Sequence, residues 1–561
     1  MTRKFQTSTF LPPLLLGLLA FIVRYVYAGA ERIVWGDEPF YMWLGRNWFS
    51  GQGYHLAFTD HWDYHHTPGY PFINAALTLL TGDMKRASNW SFILFGAGLA
   101  LVIYFLTRRI YDEKSAFAAG TLAALAPATA LMPLYWGTLT EPPYWALSFA
   151  GVFFAHRAFQ KFRALDIALA GAFLALAYYV RPEAVVFLGA MGLILGLRAL
   201  ARPPRIRHLG YPLLLGIVFL LAIFPYLYKV HQVTGVWTIS QKVGANFATA
   251  EGLALGSFRQ FDIETWGLDS TGQQVRFFSE EIAAASALDY ILANPMAYAR
   301  ILYGNTLKLF SLLFNIHLFP WYLLIPLAAG LFRRAWDRER AWNELFLAFT
   351  LLPGLSFILF FVQERYIAAL VPTLMIWAGH GLVELGDWLR ESVSKIVGDR
   401  DSAFSHPSSV FSKRYSVFNK GFLWLPTALI IIFFLVMTPR QADTAYLRGS
   451  ARPVHLEAGK ALAPYIEPSD IVMSRYVAIA YHAGAAWAPT PAASVDEVLT
   501  YARYHGVRFW AIDGFEAYNL RPQFAPLVDD PTRPRPGLKL LLIVPDERGE
   551  EPVVIYELLR K

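Results

Sequence analysis

Apolar runs of roughly 16–21 residues recur along this chain, and that recurrence leaves few folds open, because a helical run of about 20 residues matches the hydrocarbon thickness of a bilayer. They fall near residues 10–30, 88–107, 115–133, 143–158, 166–180, 184–199, 209–229, 317–332, 342–362, 366–388 and 421–438, about eleven in all. The composition agrees: 55% of residues are hydrophobic and 16% charged, with a mean hydropathy of +0.36. A soluble protein carries about 25% charged residues, so a disordered chain is excluded and the composition speaks against an ordinary soluble enzyme. Aromatic residues reach 16%, as expected where many helix ends sit at membrane interfaces. The chain has no cysteine, which removes disulfides, Cys-based zinc sites and a thiolate nucleophile.

The net charge is +7, and its distribution points to a membrane rather than to nucleic acid. With the N-terminus in the cytoplasm, the inside loops are 1–9, 108–114, 156–165, 198–208, 333–341 and 389–420. They hold about 22 Lys and Arg in roughly 80 residues, against about 10 in roughly 145 for the outside loops 31–87, 134–142, 180–183, 230–300 and 363–365. Cytoplasmic loops carry such an excess. The first run follows Arg3 and Lys4 like a signal peptide, but it is long and leads straight into further spans, so it reads as a retained first helix.

This organisation predicts an α-helical polytopic membrane protein with a small C-terminal α/β domain. Residues 1–439 form the membrane domain, with long outside loops at 31–87 and 230–300. Residues 440–561 form the outside domain. Within the first loop, Pro71–Leu80 is too short to span and is expected to lie in the interface as an amphipathic helix. In 298–332 only one crossing is allowed, so its first part is expected to be a surface or re-entrant helix. Asp399–Lys420 reads as a polar cytoplasmic loop. In the tail, Ser494 through Glu497 make a capping box that starts a helix, and Gly506 stops it. Val507–Ile512, Leu538–Val544 and Val553–Leu558 read as strands.

Polar residues concentrate at the outside ends of the spans. Asp37 and Glu38 follow the first helix in Trp35-Gly36-Asp37-Glu38-Pro39-Phe40-Tyr41. Glu141 sits in the next outside turn, Arg181 and Glu183 in the one after, and Arg365-Tyr366 before a late helix. Bundling the helices gathers these turns at one level. A carboxylate there can take a proton from an attacking hydroxyl. A second can position that hydroxyl or hold a divalent cation. Arginines can receive a departing phosphate through charge-assisted hydrogen bonds. Each residue alone has an ordinary alternative: Asp37 as a helix cap, Glu141 as a cap before Pro142, Arg181 and Arg365 snorkelling to headgroups. His55, His61, His65 and His66, with Asp60 and Asp63, crowd the first loop. Their spacing fits no specific metal pattern, which leaves phosphate or acceptor contact by His66, or interfacial packing, ahead of metal ligation.

In this order and on this common side, the acidic pair Asp37-Glu38 with Tyr41, the entry His66-Thr67-Pro68-Gly69-Tyr70-Pro71, Glu141, Arg181-Pro182-Glu183 and Arg365-Tyr366 with Pro372 resemble the GT-C superfamily of membrane glycosyltransferases. Within it the chain is similar to the dolichyl-phosphate-mannose–protein mannosyltransferase and aminoarabinose transferase group, a family 39-like set. The resemblance covers most of the membrane part. It implies a sugar donor on a polyprenyl phosphate and direct, inverting displacement. Asp37 would be the general base, Glu141 the second acid, and Arg181, Arg365 and His66 the donor-phosphate ligands. Glu38, Tyr41, Glu183 and Tyr366 would support them. Aminoarabinose transferases carry a lysine about where His66 stands, so the resemblance implies the reaction class and not the sugar.

The expected protein is thus a multi-pass glycosyltransferase of the inner (plasma) membrane, with its C-terminal domain periplasmic or extracellular. It would move a sugar from a polyprenyl-phosphate donor to a lipid, glycan or protein acceptor hydroxyl, with a divalent cation (Mg, Mn or Zn) as an optional cofactor and no nucleic-acid partner. The rival readings are a lipid-linked glycan transporter or flippase, and a glycan polymerase or ligase. Transporters place ionisable residues near the bilayer midplane, whereas here the charges gather at span ends.

Overall fold

A computed structural model describes residues 11–29, 32–59, 61–240, 250, 258–276, 287–401, 409–448, 452–546 and 551–559. Parts of the long 230–300 segment (241–249, 251–257 and 277–286), Asp60 of the histidine-rich loop, and 402–408 of the polar segment 399–420 lie outside the described residues.

The chain opens with α1 (Leu11–Ala28) and continues through α2 (Glu38–Phe49), α3 (Gly69–Thr81), α4 (Met84–Ile110) and α5 (Glu113–Leu125). Local chemistry sets these boundaries. Asp83 caps α4 by accepting from the Arg86 amide at 2.7 Å. Arg108 and Arg109 close the same helix, where cations complement the negative end of its dipole. Asp112 then caps α5 through the Ser115 amide at 2.8 Å, so the chain reverses in two residues. Helix Glu141–Lys161 opens on Pro142 and Pro143, which a first turn tolerates because its amides have no intrahelical partner.

Among the described residues, seven helical segments are long and apolar enough to cross a membrane: Leu11–Ala28, Met84–Ile110, Ala184–Ala201, His208–Thr234, Arg338–Leu359, Glu364–Lys395 and Leu423–Gln441. Two shorter apolar helices, Ala164–Val180 and Trp321–Phe332, accompany them. The runs at 115–133 and 143–158 are helical too, as Glu113–Leu125 with Pro127–Ala130, and as Glu141–Lys161. The short apolar stretch of the first loop forms α3, with Phe72, Leu79 and Leu80 turned outward. Residues Pro295–Leu313 form a helix separate from Leu324–Phe332. The middle of the bundle is Val371–Asp401, packed against α5, Leu324–Phe332 and Ser409–Arg448.

One expectation is corrected. The polar segment 399–420 is helical at both ends, as the end of Val371–Asp401 and the start of Ser409–Arg448. Residues 409–420 contain neither Gly nor Pro, so nothing in their backbone stops the following membrane helix from extending outward; polarity alone was a poor loop signal.

The C-terminal domain is a five-stranded mixed sheet of β1 (Ile471–Ser474), β2 (Ala486–Pro489), β3 (Phe509–Asp513), β4 (Leu538–Val544) and β5 (Val553–Leu558), in the order β2-β1-β3-β5-β4. β1 pairs in parallel with β2 and β3, and β5 antiparallel with β3 and β4. The capping box at Ser494 and Glu497 is formed, and helix Val495–Tyr504 follows it. β1 and β2 escaped the sequence reading because four-residue strands give too short an alternation to register. The sheet's apolar core is shared: Phe40, Trp43, Leu44, Tyr54, Leu56 and Phe58 of the first loop pack in the same cluster as Trp487 and Ile479.

Candidate active site

Two glycine turns meet first. Gly36 has φ 64° and Gly137 φ 71°, a left-handed conformation that glycine adopts at little cost. A Cβ on Gly36 would stand 2.8 Å from the Gly137 carbonyl oxygen, and the Glu38 amide donates to that oxygen at 2.9 Å. The turn carrying the acidic pair is therefore pressed onto the turn that leads to Glu141.

The two acids of the pair face different surroundings. Glu38 is buried, and Arg32 grips it with two hydrogen bonds of 2.6 and 2.7 Å. Arg32 also donates to Asn89 Oδ1 at 2.9 Å. Asp37 precedes α2 but makes no capping hydrogen bond with its side chain. That side chain is 35% exposed, and Arg365 Nη1 lies 3.7 Å from Asp37 Oδ2.

Glu141 is held from two sides. The Thr138 hydroxyl donates to its carboxylate at 2.7 and 2.9 Å, and Arg181 Nη1 donates at 2.8 Å. Arg181 also donates to Thr140 Oγ1 at 3.1 Å and to Glu183 Oε1 at 3.0 Å. It therefore sits between two carboxylates rather than reaching into a headgroup layer. Arg365 donates to Gln363 Oε1 at 3.0 Å and to the Tyr366 hydroxyl at 2.9 Å. The Tyr366 ring, stacked on Phe357, lies 5.3 Å from the Arg181 guanidinium and 4.8 Å from that of Arg365. An aromatic face shared this way offsets part of the repulsion between two cations.

Tyr41 registers the whole cluster. Burial first, then Asp37 and Glu141, hold its hydroxyl proton on well above the ordinary range, against the opposing pull of Arg181 and Arg365. His66 sits behind Tyr41, ring edge on ring at 5.3 Å. Its Nδ1 lies 3.1 Å from Asp63 Oδ1, which also accepts the His66 amide at 2.7 Å. Burial alone would raise the Asp63 carboxyl, but His66, with His65 nearby, pulls it down to about 2. The Thr67 hydroxyl donates to the Val180 carbonyl at 3.0 Å, which fastens this loop to the Arg181 turn.

The structure thus brings Asp37, Tyr41, Glu141, Arg181, Glu183, Arg365 and Tyr366 together, sets Glu38 apart with Arg32, and places His66 against Tyr41. Arg32, Thr138, Thr140 and Gln363 were missed. The spacing Thr138-x-x-Glu141 could have flagged one of them; Arg32 stands next to Glu31 in sequence, and that adjacent pair gives no signal of a partner six positions on. Among the described residues no group of three His, Asp or Glu side chains converges as a metal cage, Glu141 is already matched by Arg181, and two guanidiniums would face a cation. The cluster is instead suited to a phosphate, which accepts from guanidiniums, beside a hydroxyl that gives its proton to a carboxylate.

Residues 65–228 match the dolichyl-phosphate-mannose-protein mannosyltransferase family. No curated protein matches the sequence. Among solved structures, the chain is similar to the archaeal oligosaccharyltransferase AglB from Archaeoglobus fulgidus, in complex with an inhibitory peptide and a dolichol-phosphate: TM-score 0.57, 12% identity, 92% of this chain and 70% of that one. It is also similar to ArnT from Cupriavidus metallidurans bound to undecaprenyl phosphate, with TM-score 0.54, 14% identity and 97% of both chains. The Archaeoglobus fulgidus oligosaccharyltransferase in complex with Zn and sulfate matches at TM-score 0.56 and 13% identity, over 90% of this chain and 68% of that one. The fold is therefore that of the GT-C class of membrane glycosyltransferases. Within that class, the segment from His65 to Tyr228 carries the mannosyltransferase family pattern.

Proposed function

We propose that this protein transfers a sugar from a polyprenyl-phosphate donor to an acceptor hydroxyl at the outer face of the inner membrane, with inversion. The acceptor oxygen attacks the anomeric carbon, the bond from that carbon to the phosphate oxygen breaks, and polyprenyl phosphate leaves with the electron pair. Asp37 takes the acceptor proton. Arg365 meets the departing phosphate, and Arg181, fixed by Glu141 and Glu183, adds the second positive charge. Tyr41 and Tyr366 shape the floor, and His66 orients Tyr41. The family match and the lipid phosphates bound by the two similar proteins support the donor class.

The observation that carries the reading is the pairing of Asp37, a partly exposed carboxylate with no capping role, with Arg365 at 3.7 Å. On this reading the base and the phosphate ligand stand side by side, each able to turn to one reacting centre. The charge asymmetry of the loops supports a cytoplasmic N-terminus and an external sheet domain.

The test uses purified protein and lipid-linked sugars extracted from membranes, with mass spectrometry of the polyprenyl product. Wild type should release polyprenyl monophosphate. Asp37→Asn keeps the shape and removes the basicity, and general-base help is worth about 10²–10⁴ in rate, so release should fall by that factor while donor binding persists. Release of polyprenyl diphosphate would favour a polymerase or ligase. Transfer by Asp37→Asn at the wild-type rate would refute the assignment.

A further inference from the structure

A cavity of about 510 Å³ opens at the same end of the bundle as the candidate active site, lined by Ala28 of α1, Thr81 and Gly82 at the end of α3, and Lys85, Arg86 and Asn89 of α4. The reaction proposed above does not use it. Its lining combines two cations with a polar floor. The Asn89 amide donates to the Ala28 carbonyl at 2.9 Å and accepts from Arg32, so the floor is rigid and already satisfied. Asp83 also lines the cavity, with its carboxylate turned back onto the Arg86 amide at 2.7 Å as the helix cap.

The surroundings of the mouth identify the occupant. On one side Leu79 and Leu80 of α3 are 75% and 83% exposed, and on the other Tyr25 and Val26 of α1 are 56% and 64% exposed. In a membrane protein such apolar side chains at a helix end are lipid-facing, so a cationic cavity between them opens into the headgroup layer. A soluble anion would need no apolar walls beside the mouth, whereas a lipid would lay its chains along α1 and α3 and its phosphate against Lys85 and Arg86.

We propose that this cavity binds the phosphate of an anionic membrane lipid headgroup, held by Lys85 and Arg86. Through Asn89, Arg32 and Glu38, each hydrogen-bonded to the next, the bound headgroup lies one short polar chain from the backbone that carries Asp37. The binding itself does not depend on the proposed reaction, so its test uses no activity.

Full-length protein is placed in phosphatidylcholine vesicles containing a trace of spin-labelled phosphatidylglycerol or spin-labelled phosphatidylcholine, and the motionally restricted fraction of each label is measured. Cations at a membrane surface contribute enough per residue that a preference for the anionic label on the order of 10-fold is expected in wild type. The double variant Lys85→Gln with Arg86→Gln should lose that preference. Thr81→Trp, which fills the cavity without changing charge, should lose it as well. Both substitutions sit at partly exposed positions, and an unchanged melting temperature confirms folding. Retained preference in the double variant overturns the role of the two cations. Retained preference in Thr81→Trp overturns the cavity in favour of a plain charged surface. Displacement of the lipid label by millimolar inorganic phosphate overturns the assignment to a lipid.

Discussion

Asp37 and Glu38 are neighbours that differ in everything the site requires. Glu38 is 1% exposed and doubly bonded to Arg32, itself 3% exposed. It is therefore a structural acid, and its loss should read out in stability rather than in chemistry. Glu38→Gln leaves Arg32 buried without its counter-charge, a change that costs about 3–5 kcal/mol, so the melting temperature should fall well below wild type in detergent. The double change Arg32→Met with Glu38→Met removes both charges and should recover most of that loss, since a buried pair replaced by apolar residues of similar volume is often neutral. A Glu38→Gln protein as stable as wild type would show that the pair contributes nothing. The set of turns carrying these residues was legible because acids and arginines at span ends stand out against apolar sequence. What the acids touch was not legible. Gly36 reverses the chain so that Arg32 closes on Glu38 six positions later, and no local spacing rule predicts that. His66 is a further case: its pairing with Asp63 depends on how a loop folds over Tyr41, which composition does not encode.

At the level of elements, the apolar helices were readable because twenty apolar residues have one way to satisfy their backbone in lipid. The breaks were less so: Arg338–Phe349 gives way at Pro353 to two short turns, Leu352–Leu355 and Ser356–Leu359. Arg24 illustrates the same limit. It lies within α1, fully buried, and donates to the carbonyls of Ala123, Ala124 and Thr129 where the α5 segment breaks. A charge inside a span thus serves as the tie for a helix end, a role visible only once the two segments are side by side. The central helix Val371–Asp401 shows how closely elements approach. A Cβ on Gly381 would collide with the Pro326 carbonyl, and one on Gly379 with the backbone of Ala119. Small residues of this kind let membrane helices approach to backbone contact. Gly381→Val should force the Leu324–Phe332 helix outward. Overpacking typically costs about 1–3 kcal/mol and backbone-to-backbone contact leaves little room to relax, so the variant should show lower yield and a lower melting temperature. Gly196→Ala has open space around it and should change neither. Equal behaviour of the two variants would mean that the close contact at Gly381 is not what holds these helices together.

Across the whole molecule, the segment Phe258–Trp266 and the sheet domain are joined by a buried ionic knot. Asp262, on helix Phe258–Trp266, accepts from Arg475 Nε and from Arg521 Nε, each at 2.7 Å. Arg521 Nη1 in turn donates to Glu516 Oε1 and to the Thr490 carbonyl, both at 2.6 Å. The partners are 213 and 259 residues apart in sequence, so no motif could have announced them. Glu516 is the weak member. Its Oε2 is buried without a hydrogen-bond partner among the described residues. Burial pushes its carboxyl up, Arg521 and Arg475 pull it down, Asp262 and Asp513 push it up again, and the balance lies at about 7, against 4.5 when free. A carboxyl raised in the folded state binds a proton on folding between those two values, so stability falls as pH rises through that window. Below about 4.5 both states are protonated and this group contributes no slope. Above about 7 the deficit is complete, on the order of 3 kcal/mol. Asp513, held below its ordinary value chiefly by His455 and Arg452 against the effect of burial, titrates lower and does not mask the effect. The full-length protein should therefore hold helix Phe258–Trp266 against the sheet more firmly at pH 5.5 than at pH 8, seen as slower amide exchange in that helix after correction for the intrinsic pH dependence of exchange. Glu516→Gln carries no titrating proton and should flatten the difference while keeping the helix docked. Wild type and Glu516→Gln with the same pH slope would mean that Glu516 remains ionised in the knot, and that the two arginines outweigh its burial.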